Sequence, residues 1–409
     1  MPKQLGRPPS QTRTPASTCG VYQYIRGTIG SERNRVESEG LHKGPVTDGV
    51  RTACIGAIIA SERRGHTLTC MSEVLADVSV PRLEDEWERS TPIPLNGWFE
   101  RNTFPPLLMA FIGLVVAFLL FQIVLSPIAL VVLLMLKGVP PTALLEDLPA
   151  LIEEQAATLL VANTIGQFLG LALPAYLLSR MHTSRPSSFL RLRGADLTFV
   201  LLAFGGLVAL TPVIQWLGVI NENLPLPDFV RSFEESQMEL IERVLSVDTG
   251  ILFNLAVLAI TPAICEELLF RGYVQRQAER GLGIVGGVLF SGIVFGLYHL
   301  RLSQAIPLCV LGIYLAWLVW RTGSLWPAII VHFANNAFAV AIGAYIARDP
   351  DLEMADLEQF EVPWYFLVLG LVLFGAVVVG IQRLARRLLE ERTVGQKDAS
   401  VYRARNPSI

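Results

Sequence analysis

The sequence predicts an all-α protein: a polytopic bundle of about eight transmembrane helices behind a mostly disordered N-terminal arm. Three observations carry that prediction. Apolar residues make up 52% of the 409-residue chain and charged residues only 17%, against about a quarter charged in an ordinary soluble chain. The apolar residues gather in long runs almost free of charge, and a run of roughly 18 or more crosses a ~30 Å hydrocarbon core as a helix. Arginines collect at one set of run ends and acidic residues at the other, the asymmetry that orients membrane spans.

Residues 1–100 form a polar arm, rich up to about residue 70 in Gly, Ser, Thr and Arg. No apolar core of a secretory signal follows its first basic residues, and its composition predicts disorder on the cytoplasmic side. After Met71 the character shifts towards an acidic stretch, Glu84-Asp85-Glu86, which makes Met71 an alternative start. The membrane domain is expected over 101–390, with 391–409 as a cytoplasmic tail.

The first span, Phe104 to Leu136, holds no charged residue. It is longer than one perpendicular crossing needs, so it tilts, kinks at Pro127 or leaves the core. Further spans are expected at 156–179, 197–220, 250–275, 284–300, 304–320, 325–347 and 363–382. Arg180, Arg185, Arg191 and Arg193, then Arg276 and Arg280, Arg321, and Arg383, Arg386 and Arg387 fall on one side. The acidic stretches Glu234 to Glu242 and Asp349 to Glu361 fall on the other. Both termini are therefore expected in the cytoplasm. The segments 141–154 and 228–245 are amphipathic and suit the outer surface.

Composition and spacing count against several classes. There is no basic patch interleaved with aromatics, hence no nucleic-acid partner. The cysteines (Cys19, Cys54, Cys70, Cys265, Cys309) show no CxxC spacing, hence neither a disulfide framework nor a cysteine metal site. The internal repeats that mark many transporters are missing.

Ionisable residues inside the spans carry the functional information, because a charge at mid-bilayer costs about 2.5–3.5 kcal/mol or more. They are few: Glu266, Glu267 and Arg271 in the fourth span, His299 at the end of the fifth and His332 in the seventh. The remaining histidines (His42, His66, His182) lie outside the expected spans. Glu267 and Arg271 share a helical face at i, i+4, as do His332 and Asn336, with Asn335 less well placed. Glu266 points about 100° away from Glu267. Across the turn near Gly281 to Gly283, Glu267 and His299 stand at about the same distance, so a carboxylate and an imidazole are expected at similar depth.

Such a set is sufficient for peptide hydrolysis without a covalent intermediate. A carboxylate among apolar walls is a stronger base towards water. Imidazole positions the water or shuttles protons. An amide and an imidazole N–H stabilise an oxyanion. Each feature alone has a plainer explanation: a structural ion pair for Glu267–Arg271, an interfacial residue for His299, interhelical glue for His332–Asn336.

The segments Glu266-Glu267-Leu268-Leu269-Phe270-Arg271, Phe295-Gly296-Leu297-Tyr298-His299 and His332-Phe333-Ala334-Asn335-Asn336 resemble the EExxxR, FxxxH and HxxxN motifs of the CPBP family (Abi family), which includes the CAAX prenyl endopeptidases. The resemblance covers about residues 150–345. It implies a fold of packed transmembrane helices and cleavage of a membrane-associated, in some members prenylated, protein or peptide. Glu266 then resembles the general base, assisted by His299; Glu267 and Arg271 the supporting pair; His332 and Asn336 the oxyanion-stabilising pair. Members are often called metalloproteases, and Glu266, His299 and His332 are the candidate ligands for zinc. The chain has no HExxH, and a metal-independent glutamate mechanism is favoured. Two other classes compete: a non-proteolytic scaffold or bacteriocin-immunity protein on the same fold, and a proton-coupled transporter. The expected home is a membrane, the plasma membrane in a bacterium.

Overall fold

The computed structural model describes residues 82–83, 86–88, 92–140, 142–143, 148–247, 249–346 and 362–405. The expected disorder before residue 82, the alternative start at Met71 and the acidic 349–361 loop lie outside them. The polar arm expected to run through residue 100 ends sooner. Strands β1 (Arg82–Leu83) and β2 (Ile93–Pro94) form a two-residue antiparallel ladder, followed by the short helix α1 (Trp98–Arg101). Trp87, Ile93, Leu95 and Phe99 are buried, so this stretch is anchored by apolar side chains. At the other end, the residues expected as a tail from 391 continue as helix to Arg405.

Seven helices among the described residues are long and apolar enough to cross a membrane: α2 (Pro106–Leu136), α3 (Glu154–His182), α5 (Leu197–Glu222), α7 (Ile251–Tyr298), α8 (Leu302–Thr322), α9 (Trp326–Ile346) and α10, whose apolar part is Trp364–Gly395. The short α4 (Pro186–Phe189) follows α3, and the amphipathic α6 (Asp228–Ser246) follows α5. The chain is an integral membrane protein. The exposed Leu108, Phe111, Val115 and Ile123 on α2, and Leu371 and Val372 on α10, form the kind of surface that suits lipid.

Eight spans were expected, and α7 accounts for the difference. It turns back at Gly283 (φ 75°, ψ 174°), a conformation strained for any residue with a Cβ. A Cβ on Gly287 would fall 2.8 Å from the Cα of Glu279, and Ser291 Oγ donates to the Phe270 carbonyl at 3.1 Å. Neither approach is possible in a straight helix rising ~1.5 Å per residue. The arms 251–282 and 284–298 are thus antiparallel, and the longest helix supplies two passes.

Prolines explain three of the widened π turns. Leu119–Leu125, Phe168–Ala172 and Leu255–Ile260 are π-helical, and Pro127, Pro174 and Pro262 follow them by two residues. A proline offers no N–H and crowds the carbonyl four residues back; a wider turn relieves both. Pro212 in α5 has no such turn. The fourth π segment, Leu268–Val274, is followed by no proline and contains Arg271.

Two apolar clusters flank the 261–271 stretch. One joins α5, α8, α9 and α10 through Ala203, Leu207, Leu315, Val331 and Ile381, and includes Ala263. The other joins α2, α3 and α7 through Leu114, Phe121, Leu171, Phe270 and Phe295, and includes Cys265 and Leu269. The carboxylates of Glu266 and Glu267 stand on the helix these clusters share.

Candidate active site

Glu267 and Arg271 are fully buried, with Arg271 Nη1 donating to Glu267 Oε1 at 2.6 Å. Arg271 Nη2 donates to the Gly312 carbonyl at 3.1 Å. That carbonyl is within reach because α8 lies close to the 284–298 arm; a Cβ on Gly312 would meet the Gly292 backbone at 2.5 Å. An isolated charge here would be untenable, whereas a paired one is tolerated.

The same Glu267 oxygen lies 2.9 Å from His332 Nδ1. A carboxylate only accepts, so Nδ1 carries the proton and neutral His332 has its lone pair on Nε2. His299 is set the same way, because its Nδ1 donates to the Phe295 carbonyl at 2.8 Å. The two Nε2 atoms then face one carboxylate oxygen: Glu266 Oε2 is 3.9 Å from His299 and 4.0 Å from His332. That oxygen is buried and has no hydrogen-bond partner among the described residues. About 4 Å is too long for a direct hydrogen bond and suits acceptors bridged by one water.

Phe295, first residue of its motif, has a part that spacing alone did not assign. Its ring meets the His299 ring edge-on at 4.8 Å and the His332 ring at 5.6 Å, and the Arg271 guanidinium lies 4.2 Å from its centre. One aromatic side chain thus spaces both imidazoles and covers the buried cation.

Five of the six predicted site residues meet: Glu266, Glu267, Arg271, His299 and His332. The turn arithmetic expected His299 beside Glu267; the structure places His332 there, while His299 faces Glu266. Asn336 lies one turn beyond His332 on α9; its Nδ2 is 3.5 Å from the Leu258 carbonyl and its Oδ1 accepts from Asn335 at 3.3 Å. The side chains of Glu266 and His299 remain 16% and 32% exposed, so the cluster is not sealed on that side.

The donor set of one carboxylate and two imidazoles has the chemistry of a zinc site, but its spacing does not fit one. Ligand atoms about 2.0–2.2 Å from a tetrahedral ion lie within about 3.5 Å of each other, closer than these. Among the described residues no group of three or more His, Cys, Asp or Glu is placed to hold a metal ion.

Sequence reasoning missed the residues around the His299 loop and a second polar cluster. His182, expected outside the spans, is the last residue of α3 and is 1% exposed. Its Nδ1 donates to Glu100 at 2.6 Å, and its Nε2 faces the Tyr273 hydroxyl (3.1 Å) and the Gln277 amide (2.6 Å). Arg280 closes the set on Glu100 at 2.8 Å. The run of small and polar residues after 179 hid it.

Comparison with known proteins falls on the same stretch. Residues 248–338 match the family described as Type II CAAX prenyl endopeptidase Rce1-like. A curated relative, "Putative membrane peptidase YdiL" of Bacillus subtilis, is 26% identical over 104 residues, which cover 25% of this chain and 43% of that protein. No solved structure matches the chain. The residues that hold the buried pair and the two imidazoles are therefore the ones similar to the Rce1-like type II CAAX prenyl endopeptidases.

Proposed function

We propose that this chain is an intramembrane endopeptidase that hydrolyses a peptide bond of a membrane-associated protein or peptide with water activated by Glu266. The observation that supports this best is the unpartnered Glu266 Oε2 facing two imidazole lone pairs at about 4 Å. A water there donates one proton to the carboxylate and is oriented by an imidazole. As Glu266 takes that proton, the water oxygen bonds to the scissile carbonyl carbon and the carbonyl oxygen becomes an oxyanion. The motif resemblance assigns Asn336 Nδ2, which lies 3.5 Å from the Leu258 carbonyl in the structure, to donate to it. His332 does so only when doubly protonated, since its Nδ1 proton is spent on Glu267. Collapse breaks the C–N bond, and the proton held by Glu266 passes, directly or through His299, to the leaving amine. Glu267 and Arg271 hold His332 in place. The match to the CAAX prenyl endopeptidase family makes prenylated peptides the first substrates to try. Both termini are assigned to the cytoplasm by the arginine distribution.

The test is terminal-peptide profiling of cells carrying wild type or Glu266→Gln at equal abundance, followed by cleavage with purified protein. Wild type generates new termini; Glu266→Gln stays folded and cleaves about 10³-fold more slowly. Matching profiles, with Glu266→Gln rescuing any deletion phenotype, would place the function in binding alone. Cleavage is also expected to survive exhaustive chelation. Loss on chelation, reversed by one added metal, would reinstate Glu266, His299 and His332 as ligands.

A further inference from the structure

His299 follows the last residue of α7 and is held on one side by the Phe295 carbonyl; the loop after it is fixed by two other elements. Leu300, the next residue, has φ 54°, a left-handed conformation that a leucine keeps only when its surroundings impose it. Two residues further, the Leu302 peptide is gripped from both sides. Its N–H donates to Glu234 Oε1 at 2.5 Å and the Ser303 N–H to Glu234 Oε2 at 3.2 Å. Its carbonyl accepts from Asn221 Nδ2 at 2.8 Å, and Asn221 Oδ1 accepts from the Ile306 N–H, also at 2.8 Å. Glu234 belongs to α6 and Asn221 to the last turn of α5; both are buried, at 7% and 2% exposure. Glu234 also lines a cavity of about 370 Å³ that reaches Asn335, the neighbour of Asn336.

We infer that Glu234 and Asn221 are positioning residues for His299: they fix the peptide that ends its loop and so keep its Nε2 facing Glu266. The inference rests on the peptidase reading above. Satisfying the free N–H groups at the start of α8 is an ordinary stabilising task, and it accounts for the hydrogen bonds alone. What exceeds it is the short tether. Only Leu300 and Arg301 separate His299 from Leu302, and Leu300 is already held left-handed, so a displaced Leu302 moves the imidazole.

The experiment uses the full chain in detergent, on a peptide that wild type cleaves, with wild type, Glu234→Ala, His299→Ala and the double variant. Glu234→Ala is expected to lower kcat about tenfold at nearly constant KM, and Glu234→Gln, which keeps one acceptor oxygen, to recover most of it. In the His299→Ala background, Glu234→Ala should cost less than about twofold more, the non-additivity of residues acting through one another. Independent, additive losses overturn the inference. A second readout needs no activity: the rate at which diethyl pyrocarbonate acylates His299, followed by peptide mass spectrometry. It should rise severalfold in Glu234→Gln and Asn221→Ala, with the His182 rate unchanged as the check on folding. An unchanged His299 rate overturns the positioning role. A wild type that cleaves nothing counts against the peptidase reading, and the acylation rates still decide the role of Glu234.

Discussion

Two clusters in this bundle use the same three residue types. Around His182, the imidazole, the Glu100 carboxylate, Arg280, Gln277 and Tyr273 satisfy one another. Around Glu266 the hydrogen bonds reach only Glu267 Oε1, the two Arg271 Nη atoms and His332 Nδ1; Glu267 Oε2 and Arg271 Nε find no partner among the described residues, and the equally unpartnered Glu266 Oε2 faces two imidazole nitrogens. The first cluster is a clamp joining α1, α3 and α7. The second is a clamp with an open edge, the one proposed to react. Glutamate, histidine and arginine in a membrane therefore do not by themselves mark a catalytic site; unspent hydrogen-bonding capacity aimed at one point does.

That contrast can be broken at both ends. The largest effect is expected from Glu267→Gln, which leaves Arg271 buried without its counter-charge. About 3–5 kcal/mol of stability should be lost, together with cleavage, in thermal unfolding and activity assays. Wild-type stability in that variant would mean the pair is dispensable. Next, His182→Ala should cost about 2 kcal/mol by orphaning buried partners, yet leave activity per folded molecule unchanged. A folded but inactive His182→Ala would make the clamp part of the site. The smallest effect is acidic. Burial pushes the Glu100 carboxyl up, but the hydrogen bonds from His182 and Arg280 and the Arg280 charge outweigh it and hold it below its ordinary 4.5. A carboxylate depressed in the folded state stabilises above the ordinary value, and that contribution fades as pH falls through the folded one. Thermal stability should thus decline as pH falls below about 4.5, and Glu100→Gln should flatten that limb. An unchanged limb would assign it to other carboxylates.

How far the sequence reached follows from the same physics. The spans were legible because lipid forbids charge over long runs, and Glu266, Glu267, Arg271, His299 and His332 stood out because so little else in those runs ionises. Spacing about Gly283 fixed depth, so a histidine at the level of the carboxylates was expected. Which of two adjacent glutamates it would face depends on azimuth, and spacing does not carry that; His299 faces Glu266. Glu100 and Arg280 meet across 180 positions, with no local signature at either end. Glu234 acts on backbone N–H groups, and a backbone group has no letter in a sequence. The burial of Ile93, Leu95 and Phe99 was hidden in a stretch too short and mixed to show a period.

The 284–298 arm ends beside His299 and rises only about 22 Å at ~1.5 Å per residue. That falls short of a ~30 Å hydrocarbon core, and a membrane meets a short span by thinning around it. The headgroup region is thereby drawn in towards the histidine. Under the proposed hydrolysis, water then has a shorter path to Glu266 than the depth of the residue in a flat bilayer implies.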